Sequence, residues 1–256
     1  MENSNPTHII FEDDDLLVLA KPAGVVVNEA VSAVGETVQA WARSYLASQP
    51  SQPESSWKAL VPEDFDDQYG SPEETFLQRA GMVHRLDKET SGVLLWAKNP
   101  GAQVELLRQF RERLVQKTYE CFVHGKVAAS EGEINVPIDR STYNRQRFAV
   151  SVDGRPATTK YQAVARYQLD FDRFVTAARQ AHLFAGRPAA HLKEQLTDYL
   201  DYTYLRCQPK TGRTHQIRVH CQHLGHPLVG DNLYQGRKRI KLDEIWCDRH
   251  FLHAAS

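Results

Sequence analysis

Hydrophobic and polar positions alternate along much of the chain, and the pattern predicts more strands than helices. Short apolar runs bounded by polar turns predict strands at residues 8–11, 16–20, 93–97, 117–127, 132–138, 145–151, 157–167 and 203–208. Apolar residues at helical spacing predict helices at residues 36–46, 100–114 and 214–224. Many short strands with interspersed helices are typical of an α+β fold, so we expect a mixed, mostly antiparallel central sheet flanked by helices.

Two segments interrupt this pattern. Residues 47–75 are rich in Ser, Pro, Gln and acidic residues, and they predict a long polar loop. Residues 169–202 predict one or two helices broken at Gly186-Arg187-Pro188.

Composition places the chain among globular proteins with a substantial core. It has 256 residues, of which 41% are hydrophobic and 25% charged. The longest apolar runs are too short to span a bilayer, and the first residues are polar, unlike a signal segment. We therefore expect one domain over residues 1–256, in the cytoplasm and without a membrane partner.

The formal net charge of −1 hides a strong asymmetry along the sequence. Residues 1–75 hold 14 acidic and 3 basic residues, a balance of −11. The remaining 18 acidic and 28 basic residues give residues 76–256 a balance of +10. Such a basic region suits a polyanion such as RNA, although a solvated charged face explains it equally well.

The four cysteines are far apart in sequence. No two of Cys121, Cys207, Cys221 and Cys247 have the spacing of a zinc knuckle or a redox pair. This favours free thiols in a reducing compartment, each acting as a small buried apolar residue.

The first candidate site is the segment from His84 to Gly92. Asp87 lies between the cations Arg85 and Lys88 and directly precedes the buried strand at 93–97. Loops at strand ends commonly present reactive groups, and neighbouring cations favour the ionised form that a nucleophile needs. An ion pair that only orders the loop is the alternative, and local chemistry alone favours it.

The second candidate site runs from Pro209 to His220. Gly212 ends a strand, Thr214 can cap the following helix, and Arg213 and Thr214 at a helix N-terminus form a candidate phosphate site. Arg218, four residues after Thr214, is expected on the same helix face. His215 and His220 are five residues apart and so do not share a face as metal ligands; structural or RNA-contacting roles are favoured.

The third candidate site is Lys117-Thr118-Tyr119. In a strand, Lys117 and Tyr119 point the same way. Taken alone, this pattern favours a packed tyrosine with a satisfied hydroxyl group.

Taken together and in order, these motifs resemble the RluA family of pseudouridine synthases over roughly residues 8–168 and 203–255. Each motif is weak alone, but six in register are specific. They are Lys21-Pro22-Ala23-Gly24, His84-Arg85-Leu86-Asp87-x-x-Thr90-Ser91-Gly92, Lys117-x-Tyr119 with Val123 and Gly125, Gly212-Arg213-x-His215-Gln216-Ile217-Arg218-x-His220, Leu224-Gly225-His226-Pro227 with Gly230-Asp231 and Tyr234, and Leu252-His253-Ala254.

The resemblance implies the pseudouridine synthase fold and a role for each matched residue. Asp87 resembles the catalytic aspartate, Tyr119 the tyrosine that stacks on the target base, and Arg218 the arginine that pairs with the aspartate. Arg85 resembles the side chain that replaces the flipped nucleotide. Together with the basic motif residues, it gives an RNA-contacting set of Arg85, Lys88, Arg213, Thr214 and His215. The three catalytic residues are expected to converge in one cleft.

The reaction class implied by the resemblance needs no metal, redox cofactor or cosubstrate, so we expect none. Ribosomal or transfer RNA is the expected partner, and a monomer the expected state. The chain departs from many relatives in three ways. It begins almost directly at the first expected strand of the catalytic domain, so we expect no RNA-binding domain before that strand. Its 169–202 insertion is longer than the usual hairpin. It also stops just after residues 252–254, short of the usual end.

The insertion carries Arg173, Arg179, Arg187 and Lys193, so it is either an RNA-contacting element or a helical cap over the sheet. Two other functions compete with the enzyme. A catalytically silent RNA-binding protein on the same scaffold would bind RNA without forming pseudouridine. A metal-dependent hydrolase would require a cluster of histidines, namely His84, His215, His220 and His223.

Overall fold

The computed structural model describes residues 7–29, 35–50, 52–184, 186–196 and 199–256. Its contacts divide the chain into two compact units. The first comprises residues 1–116 with Ser256, and the second residues 117–255.

Among its described residues, the first unit contains three strands and four helices. The strands are β1 (His8–Glu12), β2 (Leu16–Lys21) and β3 (Ser91–Ala97). The helices are α1 (Val38–Ser48), α2 (Glu54–Trp57), α3 (Pro72–Arg79) and α4 (Pro100–Arg111), with single 3-10 turns at Lys58–Leu60 and Asp67–Tyr69. The strands pair antiparallel in the order β1-β2-β3, and Lys21 lies opposite Gly92.

Alternation on the central strands explains the core of this unit. Leu17 and Leu19 of β2 and Leu94 and Trp96 of β3 are fully buried, whereas the residues between and before them are partly exposed except at the ends of the strands. Each such side chain stabilises the fold by roughly 1.5–3 kcal/mol through loss of contact with water. A rigid strand therefore leads out of the loop that carries Asp87.

The segment predicted as a polar loop, residues 47–75, contains α2, the two 3-10 turns and the start of α3, so the prediction of a long loop was wrong. Two local signals explain the difference. Trp57 is an apolar anchor, 6% exposed, whose backbone carbonyl packs against Gly101 of α4. Ser71 and Glu74 form a capping box, and Pro72 occupies the first turn of α3.

Replacement of Ser71 by alanine tests this cap. The Ser71 Oγ accepts a hydrogen bond from the Glu74 N–H at 3.2 Å, and Glu74 Oε2 accepts one from the Ser71 N–H at 2.9 Å. We expect S71A to lower the free energy of unfolding by about 1 kcal/mol, because one helix N–H loses its acceptor. Urea unfolding measures the change. Ser71→Asp retains an acceptor, so equal stability of the alanine and aspartate variants would contradict the assignment.

The part of the second unit that the structure describes contains seven strands and four helices. Its strands are β4 (Tyr119–His124), β5 (Glu131–Asn135), β6 (Ile138–Arg140), β7 (Phe148–Val150), β8 (Thr158–Gln168), β9 (Asp201–Pro209) and β10 (Leu252–Ala254). Its helices are α5 (Phe171–Gln180), α6 (Ala189–Leu196), α7 (Gln216–His223) and α8 (Arg237–Asp243).

Five of these strands pair antiparallel in the order β10-β4-β9-β8-β5, while β6 and β7 form a separate two-stranded ribbon. The main core of the unit lies between this sheet and α7. Val123 of β4, Leu205 of β9 and Ile217 of α7 belong to one buried cluster. The packing fixes α7, and with it Arg218, against the strand that carries Tyr119.

The insertion forms α5 and α6 and has a hydrophobic cluster of its own. Phe174, Val175, Leu192 and Leu196 pack together with Leu242 of α8. The two helices and the break between them agree with the sequence, although Ala185, Thr197 and Asp198 lie outside the described residues. Four cations of the insertion are exposed, namely Arg173, Arg179, Arg187 and Lys193.

The predicted α+β class with a mostly antiparallel sheet is confirmed. Within each unit the strands listed above pair antiparallel, and helices pack on them. Across the part of the chain that the structure describes, no helix combines the length and apolar character needed to cross a membrane.

Candidate active site

The loop that carries Asp87 is held in place at both ends. Before it, Met82 forms a β-bridge with Trp96, and after it the chain enters β3. Leu86 and Thr90 are buried, Asp87 is partly exposed, and the Thr90 N–H donates to the Asp87 carbonyl at 3.1 Å to close a turn. The Asp87 carboxylate therefore lies on an ordered turn, and the neighbouring Leu86 side chain is buried in the core.

The buried ammonium group of Lys21 ties this loop to the Lys21-Pro22-Ala23-Gly24 motif. Lys21 is 1% exposed, and its Nζ donates to the carbonyl oxygens of Pro22 (2.8 Å), Val25 (2.9 Å) and Lys88 (2.9 Å). The Gly24 N–H also donates to the Lys88 carbonyl at 2.9 Å, and Gly24 has a φ of +85°, which favours glycine. The sequence contained this motif but gave no reason for the lysine.

Replacement of Lys21 by methionine tests this arrangement. The methionine fills a similar volume but leaves carbonyl oxygens without their charged donor, so we expect K21M to cost about 3 kcal/mol of unfolding free energy. Faster amide exchange at Gly24 and Thr90 should accompany the loss. The control is the same substitution at the exposed Lys58, whose ion pair with Glu54 is open to solvent and screened by salt, so its loss should have a much smaller effect. Equal losses in the two variants would contradict the proposed role.

His84 has a structural environment. Its Nε2 accepts a hydrogen bond from the Leu95 N–H at 2.9 Å, and its ring stacks on Phe110 with centroids 4.8 Å apart. Both contacts position the loop against β3 and α4.

Tyr119 begins β4 and lies between two other strands. It pairs with Cys207 of β9 and with Ala254 of β10, and its side chain packs on the buried core of the second unit. The strand predicted from residue 117 begins only at Tyr119, so Lys117 lies outside it. Burial lowers the pKa of the Lys117 ammonium group.

Arg218 forms a buried two-bond ion pair with Asp231. The Arg218 Nε lies 2.7 Å from Asp231 Oδ2, and Nη2 lies 2.8 Å from Oδ1. The centroid of the Tyr234 ring lies 4.9 Å from Cζ of the Arg218 guanidinium group. The backbone N–H of Tyr234 donates a hydrogen bond to Asp231 Oδ1. Burial alone would raise the pKa of Asp231, but the hydrogen bonds and charge of Arg218 bring it below its ordinary value.

Asp231 and Tyr234 are functional-site residues that sequence reasoning quoted only as motif positions. Asp231 is fully buried and holds Arg218 in one orientation. The spacing of 13 residues between them carries no local signal, because a turn and not a helix brings them together. The available clue was an aspartate directly after a glycine in a matched motif.

The start of α7 differs from the expectation. The helix begins at Gln216, its N-cap position is His215 with a φ of 57°, and no side chain caps it, so Thr214 is not the cap. The Gln216 side chain takes part of this role, because its Oε1 accepts from the Arg213 N–H at 3.0 Å. Since Thr214 lies before the helix, the expectation that it shares a helix face with Arg218 was also wrong.

The residues predicted to contact RNA differ in exposure. Arg85, Lys88 and Thr214 are exposed, whereas Arg213 and His215 are partly buried. Arg213 Nε donates to the Pro156 carbonyl at 3.1 Å, and His215 Nδ1 lies 2.7 Å from the Tyr234 hydroxyl. Their contact with RNA stays a prediction.

A histidine metal cluster is absent from the described residues. The one group of three or more potential metal-binding side chains found among them consists of Cys121, Cys207 and Cys221. His220 instead contacts Thr159 Oγ1 at 2.9 Å through Nδ1. The hydrolase alternative therefore loses the cluster that it requires.

Asp87 belongs to the first unit, and Tyr119 and Arg218 belong to the second. Each lies at an ordered position of its own unit: a closed turn, a central strand and a packed helix. That the three meet in one cleft stays a prediction.

Comparisons with known proteins give the family. The model of the RNA pseudouridylate synthase family matches residues 15–223. Ribosomal large subunit pseudouridine synthase D of Vibrio vulnificus is 34% identical over 92% of this chain and 54% of its own length. An uncharacterized RNA pseudouridine synthase of Aquifex aeolicus is 33% identical over 90% of this chain and 56% of its own. The chain thus spans about half the length of the curated relatives it matches.

Solved structures agree on the fold. Human RNA Pseudouridylate Synthase Domain Containing 1 has a TM-score of 0.60 at 22% identity, covering 99% of this chain and 79% of that one. Human RNA Pseudouridylate Synthase Domain Containing 4 has a TM-score of 0.54 at 20% identity, covering 96% and 81%. The family match spans Asp87, Tyr119 and Arg218 alike. The chain belongs to the RNA pseudouridylate synthase family, as its resemblance to RluA-type enzymes predicted.

Proposed function

We propose that this chain carries the catalytic part of an enzyme that isomerises uridine to pseudouridine in RNA. The reaction breaks the bond between N1 of uracil and C1′ of ribose and forms a bond between C5 and C1′. The proton on C5 is removed and N1 gains one, so the atoms balance without a cosubstrate. The observation that carries the proposal is the family match over residues 15–223, which includes all three candidate catalytic residues.

Asp87 is the nucleophile in this proposal. Its turn is fixed by Lys21 on one side and by β3 on the other, so the carboxylate is positioned before substrate arrives. Such prepositioning lowers the activation barrier of the reaction, because the fold has already oriented the reactive group before the substrate binds. A covalent adduct of Asp87 with the uridine then separates bond breaking from bond making.

Arg218 and Tyr119 assist Asp87. The ion pair with Asp231 fixes the direction of the Arg218 guanidinium group, the group that the family resemblance assigns as the partner of the catalytic aspartate. Tyr119 offers its ring as a stacking surface for the target uracil and its hydroxyl group for proton transfer from C5. The family match over both residues and their places on a packed helix and a central strand support these roles.

The target uridine must leave its stack to reach the carboxylate, at a cost of a few kcal/mol. Arg85, exposed two residues before Asp87, is positioned to fill the space that the base vacates. The basic balance of residues 76–256 supplies phosphate contacts that offset the cost.

Large-subunit ribosomal RNA is the proposed substrate, ahead of transfer RNA. Relatives in several bacteria that are 32–34% identical to this chain are named ribosomal large subunit pseudouridine synthase D. The names of these relatives are the reason for proposing ribosomal RNA. Pseudouridine mapping would identify the modified position within that RNA.

Pseudouridine mapping tests the function. Total RNA from cells with and without the gene is treated with a carbodiimide and sequenced, and the gene is restored as wild type. We expect at least one position in large-subunit ribosomal RNA to lose its pseudouridine and to regain it on restoration. Loss of pseudouridine at a transfer RNA position instead would show that transfer RNA is the substrate. Unchanged maps combined with RNA binding by the purified full chain would support the catalytically silent alternative.

A further inference from the structure

Three of the four cysteines lie together in the core of the second unit. Cys121 is on β4, Cys207 on β9 and Cys221 on α7, and they are 0%, 1% and 2% exposed. All three sulfur atoms lie within 4.8 Å of one another, and the Sγ atoms of Cys121 and Cys207 are 3.8 Å apart. Their burial agrees with the prediction from sequence. Sequence spacing did not predict that the three thiols lie together, because the pairing of β4 with β9 brings distant residues into contact.

The distances suit one ion bound by three sulfurs. Metal–thiolate bonds of about 2.3 Å in a trigonal arrangement place the sulfur atoms about 4 Å apart. The observed separations reach this spacing with shifts of a few tenths of an ångström. Thiolates select soft ions such as Cu(I) over Mg²⁺ or Ca²⁺, which prefer oxygen.

The number of sulfur ligands and the apolar surroundings indicate which soft ion suits the site. Structural Zn²⁺ almost always takes four ligands, and the group found among the described residues has three. Cu(I) accepts three sulfur ligands in a trigonal arrangement, and its binding releases the thiol protons, because the thiolate is the form that binds a metal. In the apolar surroundings of Val123, Leu205, Ile217 and Leu228, the positive ion then offsets part of the thiolate charge.

We propose that Cys121, Cys207 and Cys221 form a trigonal binding site for a single Cu(I) ion. The geometry carries this proposal, because β4, β9 and α7 each bring one sulfur atom to the same point of the core.

The site lies beside the proposed catalytic residues without including them. Cys207 is the strand partner of Tyr119, and Cys221 follows Arg218 by one helical turn. Bound Cu(I) therefore links the strand and the helix that hold these two residues. The loaded chain should unfold at a higher temperature, because an ion that binds only the folded state stabilises it.

Anaerobic competition with a coloured Cu(I) chelator tests the proposal on the full chain, with reductant present. We expect one Cu(I) per chain by native mass spectrometry for the wild type. Cys221→Ala and Cys121→Ala should each weaken binding more than about a hundredfold, because even changes next to a metal ligand reach that size. The matched control is Cys247→Ser, whose sulfur donates to the Arg249 carbonyl outside the cluster. It should bind as the wild type does.

X-ray absorption on the copper-loaded wild type identifies the atoms that bind the ion, so it tests the proposal even if an alanine variant fails to fold. The expected spectrum has three sulfur neighbours at about 2.3 Å. Absence of binding by the wild type, binding lost only in Cys247→Ser, or a shell with nitrogen or oxygen neighbours would each overturn the proposal. None of these results depends on pseudouridine formation.

Discussion

Replacement of Asp87 by asparagine is expected to abolish pseudouridine formation while leaving RNA binding nearly unchanged. Asparagine keeps the shape of the side chain but lacks the negative charge and nucleophilicity of the carboxylate. Removal of a catalytic nucleophile costs about 10⁴-fold or more in kcat. Single-turnover assays on the target RNA measure the rate, and filter binding at fixed salt measures affinity.

Two further variants sharpen this experiment. Asp87→Ala guards against asparagine reverting to aspartate by deamidation, and it should be equally inactive. Glu89→Gln makes the same change of charge two residues away, at a position that the quoted motif leaves unspecified, and it should retain activity. Turnover by D87N and D87A close to that of the wild type would exclude Asp87 as the nucleophile.

Replacement of Asp231 by asparagine is expected to be the most destabilising single change at the site. It removes the negative charge that contacts the buried Arg218 guanidinium through two hydrogen bonds, and loss of one partner of a buried pair costs about 3–5 kcal/mol. Isomerisation should fall as well, because Arg218 loses its fixed direction. Urea unfolding measures the loss of unfolding free energy, and single-turnover assays measure the fall in the rate of isomerisation.

The same substitution at an exposed pair is the control. Glu29 contacts Arg43 at 2.8 Å with both side chains nearly half exposed, so Glu29→Gln should cost less than about 1 kcal/mol. A loss of only that size for D231N would show that Arg218 is solvated and not held as described.

The effect of D231N should depend on pH. The pKa of Asp231 is lowered in the folded protein, so its ionised form stabilises the fold above the ordinary carboxyl pKa of about 3.9. That contribution is lost as pH falls through the lowered value. The stability difference between wild type and D231N should therefore be full at pH 7 and shrink below about pH 4. A difference that is constant with pH would contradict the ionic pairing.

The sequence predicted elements well where burial imposes a regular period. The strands β2 and β3 and the helix α4 were found because their buried faces repeat at the spacing of a strand or a helix. Residues 47–75 were misread because their helices are short and polar, and they depend on Trp57 and the Ser71 cap more than on periodicity.

The candidate site was predictable as a set of motifs but not as a set of contacts. Asp87 was found from its neighbours in sequence, whereas the partners of Arg218 and Lys21 depend on turns that bring distant groups together. The cysteine cluster is similar, because it exists only through strand pairing. Contacts between distant positions leave no periodic pattern in one sequence.

The way in which the 169–202 insertion joins the sheet has an evolutionary consequence. Gln168 at the end of β8 pairs with Asp201 at the start of β9, and the Leu169 N–H donates to the Leu200 carbonyl at 2.8 Å. The chain therefore leaves and returns through one closed pair of residues, and the strands keep their register whatever lies between them. Lineages can lengthen, shorten or exchange this excursion by simple insertion and deletion, so its length is free to diverge while the catalytic framework is inherited unchanged.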